Sequence, residues 1–461
     1  MSTAPSYDPA IAAERVAAAR AAPAPTLSVF DATMITVGIV IGAGIFETPV
    51  LVAGMAGSPV TMLVAWVLGG VLSFIGALTY AELATTYPSA GGDYTFLTRA
   101  YGKSVSFLFA WARSTVICTG SIALLGFILG DYLTRLFPLG PHSSALYATG
   151  AVLLLTGINL IGLKSSSRMQ NALAIVEIGG VIAVAIAALT LGDGASSATT
   201  AANSEPATGT AAFGLAMVFV LLTYGGWNEA AYVSAEVRGG PRAVLRTLLL
   251  SIAIITAVYL LFVVGLLQGL GFEALKSSHA VGVDVAERAL GSVGAQIVGL
   301  LVAVSSLTSM NSTMIAGART NYSVANDWAP LAFMSQWQGR RSTPAMGFIV
   351  QAAIALALIG YGALEKDGFA AMVEFTAPVF WLFFMLSGVA LFILRRREPR
   401  MPRPFRVPLY PVLPLVFVLS CAYVFYSSVV HAQTEHATYV AFGVMLSGAF
   451  ALLLLRRRRR R

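Results

Sequence analysis

The groups best placed to do chemistry in this sequence belong to the backbone. Gly38-Ile39-Val40-Ile41-Gly42-Ala43-Gly44-Ile45-Phe46 lies in an apolar run long enough to cross a bilayer, yet Gly42 and Gly44 hold a helix poorly. Unsatisfied backbone is costly in hydrocarbon, so an interruption at that depth needs a reason. A helix broken mid-membrane frees amide N–H groups from its second half and carbonyls from its first. These suit a carboxylate and an ammonium, the two groups of a free amino acid. A packing reading competes, because Gly38 and Gly42 form a G-x-x-x-G pair that lets helices approach closely. A second interrupted stretch, Leu222-Thr223-Tyr224-Gly225-Gly226-Trp227-Asn228-Glu229, favours the binding site. Two glycine-broken spans at matching positions in two halves of a chain point to a secondary transporter.

Each break is followed by a carboxylate: Glu47 three residues after Gly44, and Glu229 three residues after Gly226. Both fall in the first turn of a half-helix, where a carboxylate stabilises the positive helix end by ~0.3–1 kcal/mol. Alternatively, one of them confronts the substrate and selects for positive charge. Capping is favoured, since a glutamate facing a bound carboxylate repels it.

These residues need helices to hold them, and the composition supplies that setting. The chain has 461 residues, 57% hydrophobic and 11% charged, with a mean hydropathy of +0.78. Recurring apolar runs of this kind indicate an all-α polytopic membrane protein. Twelve spans are expected near 30–53, 59–87, 105–130, 145–163, 169–192, 211–237, 244–271, 293–318, 343–361, 369–394, 409–431 and 436–455. Residues 1–28 read as a disordered cytoplasmic tail without a signal h-region, with room for a short surface helix over 11–22. Residues 192–210 read as an outer loop, and 272–292 as a longer one with room for a short helix. With the N-terminus inside, 24 of the 29 Lys and Arg fall on the inner side, which sets both termini in the cytoplasm. The net charge of +8 is therefore mostly topology signal and implies no nucleic-acid partner. The Arg456 to Arg461 run is a polybasic tail or stop-transfer anchor. Cys118 and Cys421 both lie in apolar spans and suggest neither a disulfide framework nor a metal site.

The motifs are specific enough to mark a resemblance. The first-span stretch, Tyr80-Ala81-Glu82-Leu83 with Pro88-Ser89-Ala90-Gly91-Gly92-Asp93-Tyr94, Tyr224-Gly225-Gly226-Trp227-Asn228, and the Pro402 to Pro411 loop occur in order. Together they resemble the amino acid–polyamine–organocation superfamily of permeases, in particular its L-type and bacterial amino acid transporters. That resemblance runs from about residue 28 to 455. It implies a leucine-transporter-like fold: twelve transmembrane helices built as a 5+5 inverted repeat plus two extra helices. Repeat one would cover about 30–192, repeat two about 211–394, and the extra helices about 409–455, within a transporter domain of 29–455. It also implies alternating access around a site between spans 1, 3, 6, 8 and 10. The amides of Ala43, Gly44 and Ile45, beside Gly42, would hold the substrate carboxylate. The carbonyls of Val40, Ile41, Leu222 and Gly225 would hold the ammonium. Leu222 stands where many relatives carry an aromatic gate. Asn228 matches an asparagine that links the broken sixth span to its neighbours, or is simply a helix N-cap.

Relatives often place a lysine where this chain has Glu177, which reverses the charge. Three readings stay open. Glu177 binds and releases a proton, or it pairs with Arg113, the one cation within a span, or it faces a water-filled vestibule. Depth allows the pairing: from the inner ends of their spans both residues sit roughly 13 Å in at ~1.5 Å per residue. Ser305, Ser306, Ser309 and Asn311 are spaced to line a cavity. Glu374 reads as wet, and Glu82 and Glu236, at inner span ends, as snorkelling or paired with Arg99 or Arg238. With Glu177, Glu229 and Glu47 as coupling candidates, the expectation is a sodium-independent amino acid carrier, proton-coupled or exchanging, in the cytoplasmic membrane of a bacterium. It would need no cofactor or metal, and its partners would include an amino acid or amine substrate, the lipid bilayer and protons, with the oligomeric state left open. A polyamine or cationic amino acid carrier is the alternative, and a non-transporting nutrient receptor the third. An intramembrane enzyme is disfavoured, because no span carries a His/Glu cluster or a nucleophile with a base partner.

Overall fold

A computed structural model describes residues 27–89, 91–161, 167–191, 210–232, 234, 237–278, 280–334, 345–365, 367–430 and 435–459. The tail up to residue 26, the expected outer loop at 192–209, Glu236 and the last two arginines lie outside the described residues. The first span is two helices, α1 (Val29–Val40) and α2 (Gly44–Ala56), bent by 46°. They are followed by α3 (Pro59–Thr86), the short α4 (Asp93–Tyr101), α5 (Lys103–Leu136), α6 (Ser143–Ile161) and α7 (Ser167–Leu191). The second half runs through α8 (Thr210–Thr223), α9 (Gly240–Gly269), α10 (Val281–Asp327), α11 (Ala345–Gly362), α12 (Gly368–Arg397), α13 (Val412–Val430) and α14 (Glu435–Arg459).

Among the described residues nine helices are long and apolar enough to cross a membrane, or ten with α1 and α2 taken as one span. Of the other two expected spans, α8 is only 14 residues long because it stops at the second break, and α14 has an apolar part over Tyr439–Leu455. The expected loop at 272–292 is partly helical, with Phe272–Lys276 and the first part of α10, which turns at Gly291.

Local chemistry explains the helix starts. Ser28 and Asp31 close a reciprocal capping box on α1, with Asp31 N donating to Ser28 Oγ at 3.1 Å and Ser28 N to Asp31 Oδ2 at 3.0 Å. Ser58 caps α3 just ahead of Pro59, and Asp367 caps α12 through the Ala370 amide. Helix α3 shows how the bundle is oriented. Val60, Val64, Val67, Val71 and Phe74 are exposed at spacings of three and four, the lipid-facing stripe of a helix. Its other face is buried and rich in small residues. At Gly69 a Cβ would lie 2.5 Å from Val220 Cγ1, so only glycine lets α3 approach α8 this closely. Such contacts matter in lipid, where association rests on packing rather than on a hydrophobic force between helices.

Packing follows a regular order. Helix α2 lies against α8, α3 against α9, α5 against α10, and α6 against α11. One end of the bundle is tied by a buried ion cluster. Glu82 accepts from Arg395 Nε at 2.7 Å and Nη2 at 2.5 Å, and from the Val407 amide at 2.7 Å, with Arg403 Nε 3.4 Å away. The expected partners, Arg99 and Arg238, are not the ones used. Arg99 instead lies 3.8 Å from Glu398. Helix α12 brings Arg395 to Glu82 from a distant part of the chain, a choice that helix packing makes and sequence proximity does not. Glu374 is buried rather than wet, because α12 is enclosed on all sides from Ala371 to Val379.

Candidate functional site

The first interruption is a tight turn. Ile41 N donates to Val37 O at 2.7 Å and Gly42 N to Val40 O at 2.8 Å, and α2 begins at Gly44. The leading amides of a helix have no intrahelical acceptor. Ile45 N makes only a long 3.4 Å bond to Gly42 O, while Phe46 N is taken by Ala43 O at 3.0 Å. The groups left for a ligand are thus the amides of Ala43 and Gly44, with that of Ile45 only weakly engaged. Helix α8 ends the same way at Thr223. Gly225 N donates to Leu222 O at 2.9 Å, and Gly226 takes φ +105°, a left-handed conformation that suits glycine. A short 3-10 turn, Trp227–Ala231, follows.

The two breaks meet. A Cβ on Gly226 would sit 3.1 Å from Val40 Cγ2 and 3.2 Å from Ile39 Cγ2. Thr48 and Thr223 join α2 to α8 through their hydroxyls at 2.6 Å. Tyr259 on α9 reaches both carbonyl ends, its hydroxyl 2.6 Å from Val40 O and 3.2 Å from Thr223 O. Sequence reasoning missed this tyrosine. Its signal is the one tyrosine of α9, a phenol in a mostly apolar span that must find an acceptor.

Together the breaks open on a cavity of about 190 Å³. Of the expected binding positions, Val40, Gly42, Gly44, Leu222, Gly225 and Asn228 line it. Ile41, Ala43 and Ile45 are fully buried in the first turn beside it. The Val40 and Leu222 carbonyls already accept protein hydrogen bonds, as described above. The Asn228 side-chain oxygen is buried and meets no donor among the described residues, and Asn228 is not a cap. Phe219, Phe369, Val373 and Phe380 give the cavity an apolar wall.

One wall carries charge. Arg113 Nη2 lies 2.8 Å and 2.9 Å from the two carboxylate oxygens of Glu229, and both residues line the cavity. Arg113 also stacks on Tyr232, its Cζ 4.5 Å from the ring centroid, and donates from Nε to Thr320 Oγ1 at 3.3 Å. A π-helical turn, Arg113–Ile117, begins at this arginine inside α5. Tyr232 in turn donates to buried Asp93, which also accepts from Tyr80 at 2.6 Å and Ser387 at 2.7 Å. The pairing of Arg113 with Glu177 is therefore replaced by one with Glu229. Glu177 meets Ser305 on α10 while Glu229 meets Arg113 on α5, a difference that depth counted along each span does not reveal.

Glu177 accepts from Ser305 Oγ, and its other oxygen has no partner among the described residues. Glu47 sits in the first turn of α2 as expected, away from the cavity lining, with Oε1 buried and unpartnered among the described residues. The expected cavity stripe on span eight is displaced. Ser305 faces Glu177, Ser309 packs on Gly42, and Asn311 accepts from Asn159, while Ser312, Thr313 and Ala316 reach the cavity. The helical spacing is continuous, but α10 crosses the site further along than assumed. Among the described residues no three His, Cys, Asp or Glu side chains gather as around a metal ion.

A family model described as an amino acid permease matches residues 27–450. The serine/threonine exchanger SteT of Bacillus subtilis (strain 168) is 28% identical over 402 residues, spanning 87% of this chain and 90% of that protein. The b(0,+)-type amino acid transporter 1 of Homo sapiens is 27% identical over 436 residues, spanning 93% and 88%. The cystine/glutamate transporter of Homo sapiens is 28% identical over 425 residues, spanning 91% and 83%.

Proposed function

Because the chain belongs to the amino acid permease family, a family of membrane transporters rather than enzymes, we propose that it carries amino acids across the cytoplasmic membrane of a bacterium by alternating access. The observation that carries this reading is the meeting of two interrupted helices on one cavity. Free amides of α2 offer a seat for a carboxylate, and carbonyls and the Asn228 oxygen offer one for an ammonium. Twelve spans in two inverted five-helix repeats, with α13 and α14 as additions, fit the way α2, α3, α5 and α6 each pack on the helix five spans later. Both termini then lie in the cytoplasm, as the arginine distribution requires. Relatives named for serine/threonine exchange and for cystine/glutamate support amino acids over polyamines as cargo.

Counterflow in proteoliposomes tests transport itself. Vesicles loaded with an unlabelled amino acid are expected to accumulate the labelled one transiently. Saturable binding without accumulation would make the protein a receptor.

Coupling is assigned to Glu177. It is 5% exposed, has one hydroxyl partner, and sits between α7 and α10, where rocking of the repeats changes its surroundings. Glu177→Gln is expected to flatten the pH dependence of net uptake while counterflow persists. A wild-type pH profile in that variant would remove the proton-carrying role.

A further inference from the structure

The cavity contains a feature that binding of α-amino and α-carboxyl groups does not use: the Arg113–Glu229 pair. Backbone groups at the breaks suffice for the parts common to every amino acid, so a charged pair on another wall faces the part that varies. Its geometry is one-sided. Nη2 of Arg113 holds both oxygens of Glu229, Nε holds Thr320, and Tyr232 covers a face of the guanidinium. Among the described residues Nη1 meets no acceptor. The Glu229 side chain is 19% exposed against 5% for Arg113, so the carboxylate is the more open of the two. The wall thus presents an N–H donor and an oxygen acceptor side by side with no net charge.

We propose that the Arg113–Glu229 pair selects the cargo's side chain and favours amino acids with neutral polar side chains, hydroxyl or carboxamide. Such a group both donates and accepts, and so matches both halves of the pair. A full charge matches one half and breaks the other, leaving an uncompensated ion in a largely apolar cavity. A purely apolar side chain leaves the pair's open donor and acceptor without partners. This inference rests on the transporter reading, because it takes the α-groups of the cargo to lie at the breaks.

The test is ligand-induced thermal stabilisation of purified full-length protein, titrated with individual L-amino acids. Wild type is expected to rank serine, threonine, asparagine and glutamine above aspartate, glutamate, lysine, arginine, leucine and phenylalanine. Removing one partner leaves the other as a buried charge that a complementary ligand can neutralise. Glu229→Gln should therefore raise the affinity ratio of acidic to neutral polar amino acids about tenfold or more, and Arg113→Met should do so for basic ones. Shifts of both variants in the same direction, or no shift in either, would overturn the assignment, as would a wild type that prefers a charged or apolar amino acid. Should a single variant not fold, Arg113→Met with Glu229→Gln leaves no unpaired charge. Retained binding with the neutral-polar preference erased supports the pair's role, and an unchanged preference overturns it. A wild type that binds no amino acid refutes the transporter reading itself, an outcome distinct from unaltered ranking in variants that do bind.

Discussion

Gly44→Val is expected to abolish saturable amino acid binding while the protein still inserts and purifies as a single species. Gly44 lines the cavity, and a Cβ there would meet open space. The valine Cβ therefore meets no protein atom within 4 Å, and the side chain stands where the ligand carboxylate would meet the free amides. Helix propensity does not oppose the change, since glycine, about 1 kcal/mol less favourable than alanine, ranks below valine. The neighbouring glycine behaves differently. A Cβ at Gly42 would come within 3.0 Å of Ser309 Oγ, so a side chain there strains the protein as well as the site. The contrast separates loss of ligand from loss of fold. Affinity should fall at least about 100-fold at Gly44, or about 2.8 kcal/mol at 1.4 kcal/mol per factor of ten. Thermal-shift titration of both variants measures it. Wild-type affinity in a monodisperse Gly44→Val protein would remove the first break from the binding site.

Glu82→Ala is expected to lower stability by about 3–5 kcal/mol, the usual cost of leaving buried cations without their carboxylate. Glu82 is 1% exposed, and two arginines with 19% and 7% exposure converge on it. The Val407 amide would also lose its acceptor. Because the cluster lies outside the cavity, the surviving folded fraction should keep wild-type ligand ranking. Denaturation in detergent reads the first effect and ligand titration the second. A loss under about 1 kcal/mol would mean that water replaces the carboxylate, and the cluster would then be ornamental to stability.

Much of the frame was legible because it depends on one-dimensional signals. Glycines in an apolar run located the first break, and Ser58-Pro59 set the start of α3 where it was expected. Side-chain partners were not legible, because rotation about a helix axis is invisible in a hydropathy profile. Arg113 and Glu177 are expected at matching depth by residue count, yet Arg113 pairs with Glu229 at the second break. The π turn that begins at Arg113 shifts the helical register of the residues after it, which a period of 3.6 does not anticipate. Glu82 shows the same limit at longer range. Arg99, the nearest arginine in sequence, is the natural expectation, and packing instead brings Arg395 and Arg403, more than three hundred positions on. The serine stripe of α10 had the right spacing but the wrong height, a matter of where two helices cross.

That long separation has a consequence for how the protein is made. Glu82 and Arg395 lie 313 residues apart, so the carboxylate leaves the ribosome long before its cations exist. At about 5–20 residues per second, it waits on the order of tens of seconds near a membrane surface with only water or lipid headgroups for company. The seam it closes therefore belongs to a late stage of assembly, after the chain has been made as far as the arginines.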